Sequence, residues 1–201
     1  MSYIGTTKIG GIYLGSTGIA KVYLGSDLVF QKTAPGPQPQ EYTVILNPYS
    51  YIPKATDGSW YSLSNPSNAY KDADTTGYAQ VALTRGSEAD TWIYWLFDTS
   101  SIPADAQIVS VECQAKLHSS ITNSSYVSVR QAQMYSGTTP KGESTLIPQP
   151  AAVKTLPSAT WTRAELNDVR LKMFGKRTTS NVNTSYAFRL YGATLTIKYT
   201  L

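Results

Sequence analysis

A ten-residue repeat opens the chain and limits what its first thirty residues can fold into. Tyr3-Ile4-Gly5-Thr6 returns as Tyr13-Leu14-Gly15-Ser16 and again as Tyr23-Leu24-Gly25-Ser26. Ile9, Ile19 and Val29 hold a second position of the same period, and Ile12 and Val22 a third. A segment this short cannot bury enough surface to fold alone. The runs Ile9–Leu14 and Ile19–Leu24 are joined by Gly-Ser-Thr-Gly at 15–18, and Gly-Ser-Asp leads into Leu28-Val29-Phe30. This pattern predicts a short β-meander over residues 1–31. Ile12 and Leu14, like Val22 and Leu24, point to one face, and Tyr13 and Tyr23 to the other. Both faces are partly apolar, and a lone three-stranded sheet covers neither. Either the meander packs on the rest of its own chain, or it docks on another molecule.

Residues 32–40, Lys-Thr-Ala-Pro-Gly-Pro-Gln-Pro-Gln, read as a linker. Prolines at 35, 37 and 39 favour extended polyproline geometry, hence a semi-rigid spacer. A spacer is wasted if the two parts it joins simply pack together, which favours the intermolecular dock. From 41 onward strand signals dominate. Tyr42, Val44 and Leu46 alternate with Thr43 and Ile45 until Asn47-Pro48. Residues 49–77 read as irregular, and Ala79, Val81 and Leu83 resume the alternation. Thr91–Phe97 is apolar on both faces, as in a central strand, with Trp92 and Trp95 on opposite sides.

Val109, Val111, Cys113, Ala115 and Leu117 form one inward row, opposite Ser110, Glu112, Gln114 and Lys116. Residues 126–135 continue as a strand, with a bulge near Arg130 where the alternation slips. Ala193, Leu195, Ile197, Tyr199 and Leu201 form the last inward row; Tyr186, Phe188 and Leu190 hold the opposite parity, so a switch is placed at Gly192. A helix is predicted over 163–171, capped by Thr162 with Glu165 completing a capping box and Trp161 as its staple. The expected fold is therefore all-β: the N-terminal meander, then a jelly-roll-like β-sandwich over 41–201 with one short helix.

Composition limits the chemistry. Charged residues are only 15% of the chain, and polarity comes instead from Ser, Thr, Asn, Gln and 15 Tyr, residues that suit exposed sheet faces. The net charge of +4 is mild, and the one basic group, Arg170, Lys172, Lys176 and Arg177, reads as a solvated loop rather than a nucleic-acid site. The single cysteine, Cys113, excludes an intrachain disulfide and points to assembly in a reducing cytoplasm. The start, MSYIGTTKIG, lacks the apolar stretch of a signal peptide, and no run approaches the ~18 apolar residues of a membrane span. Membrane insertion is not expected.

His118 is the only histidine and lies at a strand end, which argues against a zinc site. Cys113 faces inward and reads as a small hydrophobe. Asp72, Asp74 and Gly77 fall short of a calcium loop and read as a turn with solvated acids. Glu88, Asp90 and Asp98 flank the central strand; a pair of acids there is the one opening for a glycan hydrolase. No phosphate loop or nucleophile elbow is present. No cofactor, metal or catalytic residue is therefore expected. Trp60, Tyr61, Tyr70 and Tyr78 lie in or beside the irregular stretch; they either stack on sugar rings or close the core beneath the loops.

Two stretches resemble known families. Ile9-Gly-Gly-Ile-Tyr-Leu-Gly-Ser16, followed by Ile19-Ala-Lys-Val-Tyr-Leu-Gly-Ser26, resembles N-terminal segments of tailed-bacteriophage and prophage virion proteins. Trp95-Leu-Phe-Asp-Thr-Ser-Ser-Ile-Pro-Ala-Asp-Ala-Gln-Ile108, running on into Val109–Leu117, resembles a strand–turn–strand of jelly-roll sandwiches in carbohydrate-binding modules and phage surface proteins. The resemblance implies a non-enzymatic virion surface protein, a head fibre or capsid decoration, commonly trimeric, assembled in the host cytoplasm. Its expected partners are other virion proteins of the capsid or tail, its own copies as a homotrimer, and a host surface glycan, with no nucleic acid. Tyr3, Ile12, Tyr13, Leu14, Val22, Tyr23 and Leu24 would carry the anchoring. A tail-associated receptor-binding protein is the alternative.

Overall fold

A computed structural model describes residues 3–4, 7–8, 12–14, 17–19, 21–24, 27–31, 38–53, 61–73, 75–83, 91–120, 127–157, 159–177 and 186–201. The chain divides into two compact units, Met1–Pro39 and Gln40–Leu201. Trp60, Asp74, Glu88, Asp90 and linker residues 32–37 lie outside the described residues.

Among its described residues, the first unit pairs as three hairpins rather than as one continuous sheet. β1 (Tyr3–Ile4) pairs with β2 (Thr7–Lys8), β3 (Ile12–Leu14) with β4 (Thr17–Ile19), and β5 (Lys21–Leu24) with β6 (Asp27–Gln31), each as a separate two-stranded antiparallel sheet. The registers repeat: Ile4 faces Thr7, Leu14 faces Thr17 and Leu24 faces Asp27. Only two residues, Gly-Thr or Gly-Ser, separate the strands of each pair, which is sufficient for an antiparallel return. Each decade thus closes on itself: Ile12 pairs with Ile19 instead of starting a longer ribbon. Val22 is half-buried. The strands of Tyr3, Ile12, Tyr13, Leu14, Tyr23 and Leu24 are traced, while their side chains lie outside the described residues.

The second unit is a β-sandwich. Its strands are β7 (Glu41–Leu46), β8 (Pro48–Pro53), β9 (Tyr61–Ser64), β10 (Ala79–Leu83), β11 (Thr91–Phe97), β12 (Gln107–Ser119), β13 (Val127–Ser136), β14 (Thr139–Leu146), β15 (Ala152–Leu156), β16 (Val169–Arg177) and β17 (Tyr186–Thr200), with one helix, α1 (Arg163–Leu166). The first sheet runs β15-β12-β17-β10-β9, with β7 also on β17; the second runs β14-β13-β16-β11-β8. All the pairings are antiparallel. Of the connections between successive strands, only β9–β10 and β13–β14 stay within a sheet. The chain therefore winds back and forth between the two sheets of the sandwich.

The period-two rows decide which side faces in. Val111, Cys113, Ala115 and Leu117 of β12 and Ala193, Leu195, Ile197 and Tyr199 of β17 are buried in one core with Ile93, Trp95 and Phe97 of β11 and Leu171 and Met173 of β16. Val109 leaves the row: the β12–β17 register shifts between Ile108 and Ser110, and the bulged Val109 is 53% exposed. Leu201, just past the ladder, is exposed too. A second shift pairs Lys116 with Gly192 but Leu117 with Leu190. Tyr191 is therefore the extra residue of a bulge, and this realises the parity switch within one continuous strand. In β13 the register against β16 slips between Val127 and Val129, near the position expected from Arg130.

Three sequence expectations change. Residues 49–77 contain β8, β9 and a 3-10 turn at Pro66–Ala69. β8 starts and ends on proline, which is tolerated because it is an edge strand. The helix is one turn rather than nine residues. Its capping box forms, with Glu165 N donating to Thr162 Oγ1 at 3.3 Å and Thr162 N to Glu165 Oε2 at 2.8 Å. Trp161 and Leu166 enter the core as the staple requires. Beyond Asp168, however, Val169, Leu171 and Met173 follow a period of two and become β16, which places Arg170 and Lys172 on a sheet face rather than a loop. Finally, Trp95 is fully buried but Trp92 only half so.

Candidate binding surfaces

The candidate reactive groups among the described residues lie apart from one another. Among the described residues, no group of three or more His, Cys, Asp or Glu could hold a metal, and no helix is long and apolar enough to cross a membrane. Burial pushes the Cys113 thiol up to about 12, with Glu112 adding to the effect, so little reactive thiolate exists near neutral pH. Asp72 accepts a hydrogen bond from Asn47 Nδ2 at 3.0 Å. Asp98 caps its own turn through the Ser100 N–H at 2.9 Å, which lowers its pKa. A groove of about 330 Å3 opens where Pro157 ends the β15–β12 pairing; Ile108, Val109, Ser110, Val111, Ala159, Thr160 and Trp161 line it, with no titratable side chain.

The turn that carries the sandwich resemblance is well braced. Between β11 and β12 the chain crosses from one sheet to the other through Thr99–Ala106, with Ile102 N donating to Thr99 O and Ala106 N to Pro103 O. The Arg163 guanidinium of α1 donates to Ile102 O at 2.8 Å and to Pro103 O at 2.9 Å. This is a structural clamp.

Aromatic and cationic side chains instead gather on the two outer sheet faces. On the second sheet, β11 sends Trp92 and Tyr94 outward, β13 sends Tyr135, and β16 sends Arg170, Lys172 and Phe174. Trp92 and Tyr94 pack with ring centroids 4.9 Å apart, and Tyr94 meets Tyr135 edge-on at 5.6 Å. Lys172 Nζ lies 4.9 Å from the Tyr135 ring, 5.0 Å from Phe174 and 5.5 Å from Tyr94. Arg170 covers Tyr94 at 5.2 Å while gripping Asp168 through two 2.6 Å bonds. Tyr94 and Tyr135 are left only 6% and 8% exposed, and burial raises both phenol pKa values. This face is sealed by its own cations.

The outer face of the first sheet is more open. Tyr78, just before β10, meets Tyr191, the bulge residue of β17, at 5.1 Å with planes 59° apart. The Arg189 guanidinium lies 4.5 Å from the Tyr78 ring centroid, and its Nε donates to Gln80 Oε1 at 2.9 Å. Lys116 lies 5.2 Å from the Tyr191 ring and donates to Thr75 O at 3.0 Å. Tyr78, Gln80, Lys116, Arg189 and Tyr191 are all half-buried. His118 pairs with Arg189 across the ladder; its Nδ1 is buried with no partner among the described residues. Desolvation, and secondly Arg189, lowers its pKa.

Gly192 makes this surface possible. A Cβ there would collide with Asp72 O and lie 2.6 Å from Lys71 O. Without it, residues 71–73 and 75 lie directly on β17: Ala193 N donates to Lys71 O at 3.0 Å, and Thr75 Oγ1 donates to Tyr191 O. They fill the edge of β17 between β7 and β10, with Tyr78 beside Tyr191.

Of the four aromatics expected near glycan, Trp60 lies outside the described residues. The strand of Tyr61 is described, but its side chain is not. Tyr70 packs against the core near Tyr51, and burial raises its pKa. Of the two whose side chains are described, Tyr78 joins an outer-face cluster. Its companions Arg189, Tyr191, Gln80 and Lys116 were missed; the bulge implied by the parity switch was the one available signal. Comparison with known proteins finds no matching family model and no similar curated protein.

Proposed function

We propose that this chain is a non-enzymatic structural protein of a bacteriophage particle, a head fibre or capsid decoration. Its N-terminal repeats anchor it, and its sandwich is displayed for weak adhesion to host glycan. The observation that carries this is the set of repeated hairpins. A two-stranded hairpin is marginal in water by itself, and the three carry the same short register with apolar and tyrosine side chains at the repeated positions. Such units gain stability by pairing and burial against a partner surface, with Tyr3, Ile12, Tyr13, Leu14, Val22, Tyr23 and Leu24 as the anchoring set. The sandwich has its own continuous core, as a displayed domain requires. Weak individual contacts suffice when many copies, or the three chains of a homotrimer, act together.

The test is incorporation. Replacing Tyr13 and Tyr23 by Ser abolishes attachment to particles and leaves the far-ultraviolet dichroism and melting of the sandwich intact. Full incorporation of the double variant refutes the anchoring role. The mass of the full chain by light scattering, beside that of residues 40–201, tells whether the repeats also assemble copies. The open Tyr78–Arg189–Tyr191 surface favours a second reading, a tail-associated receptor-binding protein, in which adhesion is the main task; strong, selective binding on a glycan array supports it over the first.

A further inference from the structure

We infer that the outer face of the first sheet is a receptor for an acidic saccharide, with Arg189 gripping the sugar carboxylate; this rests on the adhesive role proposed above and names its ligand class. Arg189 is a prepared but unspent cation. Its Nε is held by Gln80 at 2.9 Å and its Cζ lies over the Tyr78 ring, 4.5 Å from the centroid. Its two terminal nitrogens have neither a hydrogen bond nor an ion pair among the described residues. Ion pairs between described residues, Lys141–Glu165, Arg170–Asp168 and Lys198–Glu41, involve other cations. The contrast with Arg170 is direct. That guanidinium also lies over a tyrosine, but Asp168 occupies its fork.

A fixed guanidinium with its fork open matches a carboxylate in two parallel hydrogen bonds. Because the contact with the Tyr78 ring and the Gln80 bond already hold the side chain, little rotamer freedom remains to be lost on binding. The neighbours select a sugar over a free anion. Tyr78 and Tyr191 present rings 59° apart beside the fork, an angled apolar wall for the C–H face of a pyranose. The Gln80 amide, whose oxygen is committed to Arg189, keeps its N–H2 for a ring hydroxyl. One carboxylate, one ring face and one hydroxyl describe a hexuronate unit.

The experiment uses the full chain, with a galacturonate hexamer and its fully methyl-esterified form as probes in titration calorimetry or ligand-observed magnetic resonance. The acid form binds and the ester binds at least about tenfold more weakly, the size of one charge-assisted hydrogen bond. Arg189→Gln loses the same factor. Arg189→Lys, which keeps the charge without the planar fork, does not restore it, and Tyr70→Phe, a change in the core, leaves binding unaltered. Equal affinity for acid and ester, or undiminished binding by Arg189→Gln, overturns the assignment. Absence of binding to both probes at millimolar concentration also overturns it, yet leaves the display role standing, because particle incorporation is measured separately with the Tyr13/Tyr23 variant.

Discussion

Replacing Gly192 by Ala should be among the most damaging single-methyl additions in the sandwich. Elsewhere in a strand, Gly→Ala is expected to stabilise by about 0.5–1 kcal/mol, because glycine loses more backbone entropy on folding. Here the added carbon meets main chain rather than a flexible side-chain tip: Asp72 O, Lys71 O at 2.6 Å and Asp72 C at 2.8 Å. Residues 71–73 and 75 have to lift from β17. Their bonds are Ala193 N to Lys71 O at 3.0 Å, Ala73 N to Thr194 Oγ1 at 3.3 Å and Thr75 Oγ1 to Tyr191 O; Asn47 Nδ2, which bridges Asp72 and Ala193 O, goes with them. At about 1 kcal/mol net for each bond, losing half of these and adding about 1–3 kcal/mol for overpacking gives roughly 3–5 kcal/mol. For a domain of this size each kcal/mol lowers the melting temperature by about 2–4 °C, so the drop is on the order of 6–20 °C. Gly77→Ala is the control, since its new carbon meets only the Asn68 side chain, at 3.1 Å. Scanning calorimetry of the two variants decides the matter. A Gly192→Ala melt within about 2 °C of the parent, or no lower than that of Gly77→Ala, refutes the claim that the close approach at Gly192 holds these residues in place.

Two further outcomes follow from buried titratable groups. Cys113 is 2% exposed with its thiol pKa at about 12, so iodoacetamide at pH 8 leaves the native chain unlabelled and modifies it only as denaturant unfolds the sandwich; native labelling at the rate of a free thiol contradicts that burial. His118 titrates below its ordinary value in the fold, so the unfolded chain takes up the proton first. Its contribution to stability is complete above the unfolded pKa, about 6.5, and is lost as pH falls from there through the lower folded value. The urea midpoint should therefore drop between pH 7.5 and 5.5 in the parent and drop less in His118→Gln; identical pH profiles for the two would rule His118 out as the cause.

How far the sequence could be read depended on the range over which each feature is encoded. The inward rows of β12 and β17 were legible because burial on one face writes a period of two into neighbouring residues. The parity break before Gly192 was legible for the same reason, although it marks a bulge at Tyr191 rather than a break between strands. The helix was overextended because Leu166 and Val169 fit helical spacing as well as they fit a helix turn followed by a strand; the deciding signal, Val169-Leu171-Met173, lies downstream. β8 was missed because proline at both ends resembles a loop, and proline is harmless only on an edge, a property of sheet order that no local pattern carries. The hairpins of the first unit were misjoined because the ten-residue period fits either strand pairing. The turn residues alone could not say which.

The outer-face surfaces show why a binding site is harder to read than a core. Tyr78, Lys116, Arg189 and Tyr191 come from three strands or their approaches and meet only through register. Had β17 run without its bulge, one of the rows Arg189-Tyr191 or Ala193-Leu195 would have faced the wrong side. The bulge keeps Leu190 and Ala193 both in the core and leaves the intervening Tyr191 outside beside Tyr78. The glycine that follows admits Lys71, Asp72 and Thr75 against β17, and Tyr78 follows them in the chain. The surface and the close backbone approach at Gly192 are therefore one construction. Gly192→Ala should weaken any ligand bound between Tyr78 and Arg189 even under conditions where the domain stays folded, whereas destabilising the core at a distant site, as with Leu171→Ala, should not.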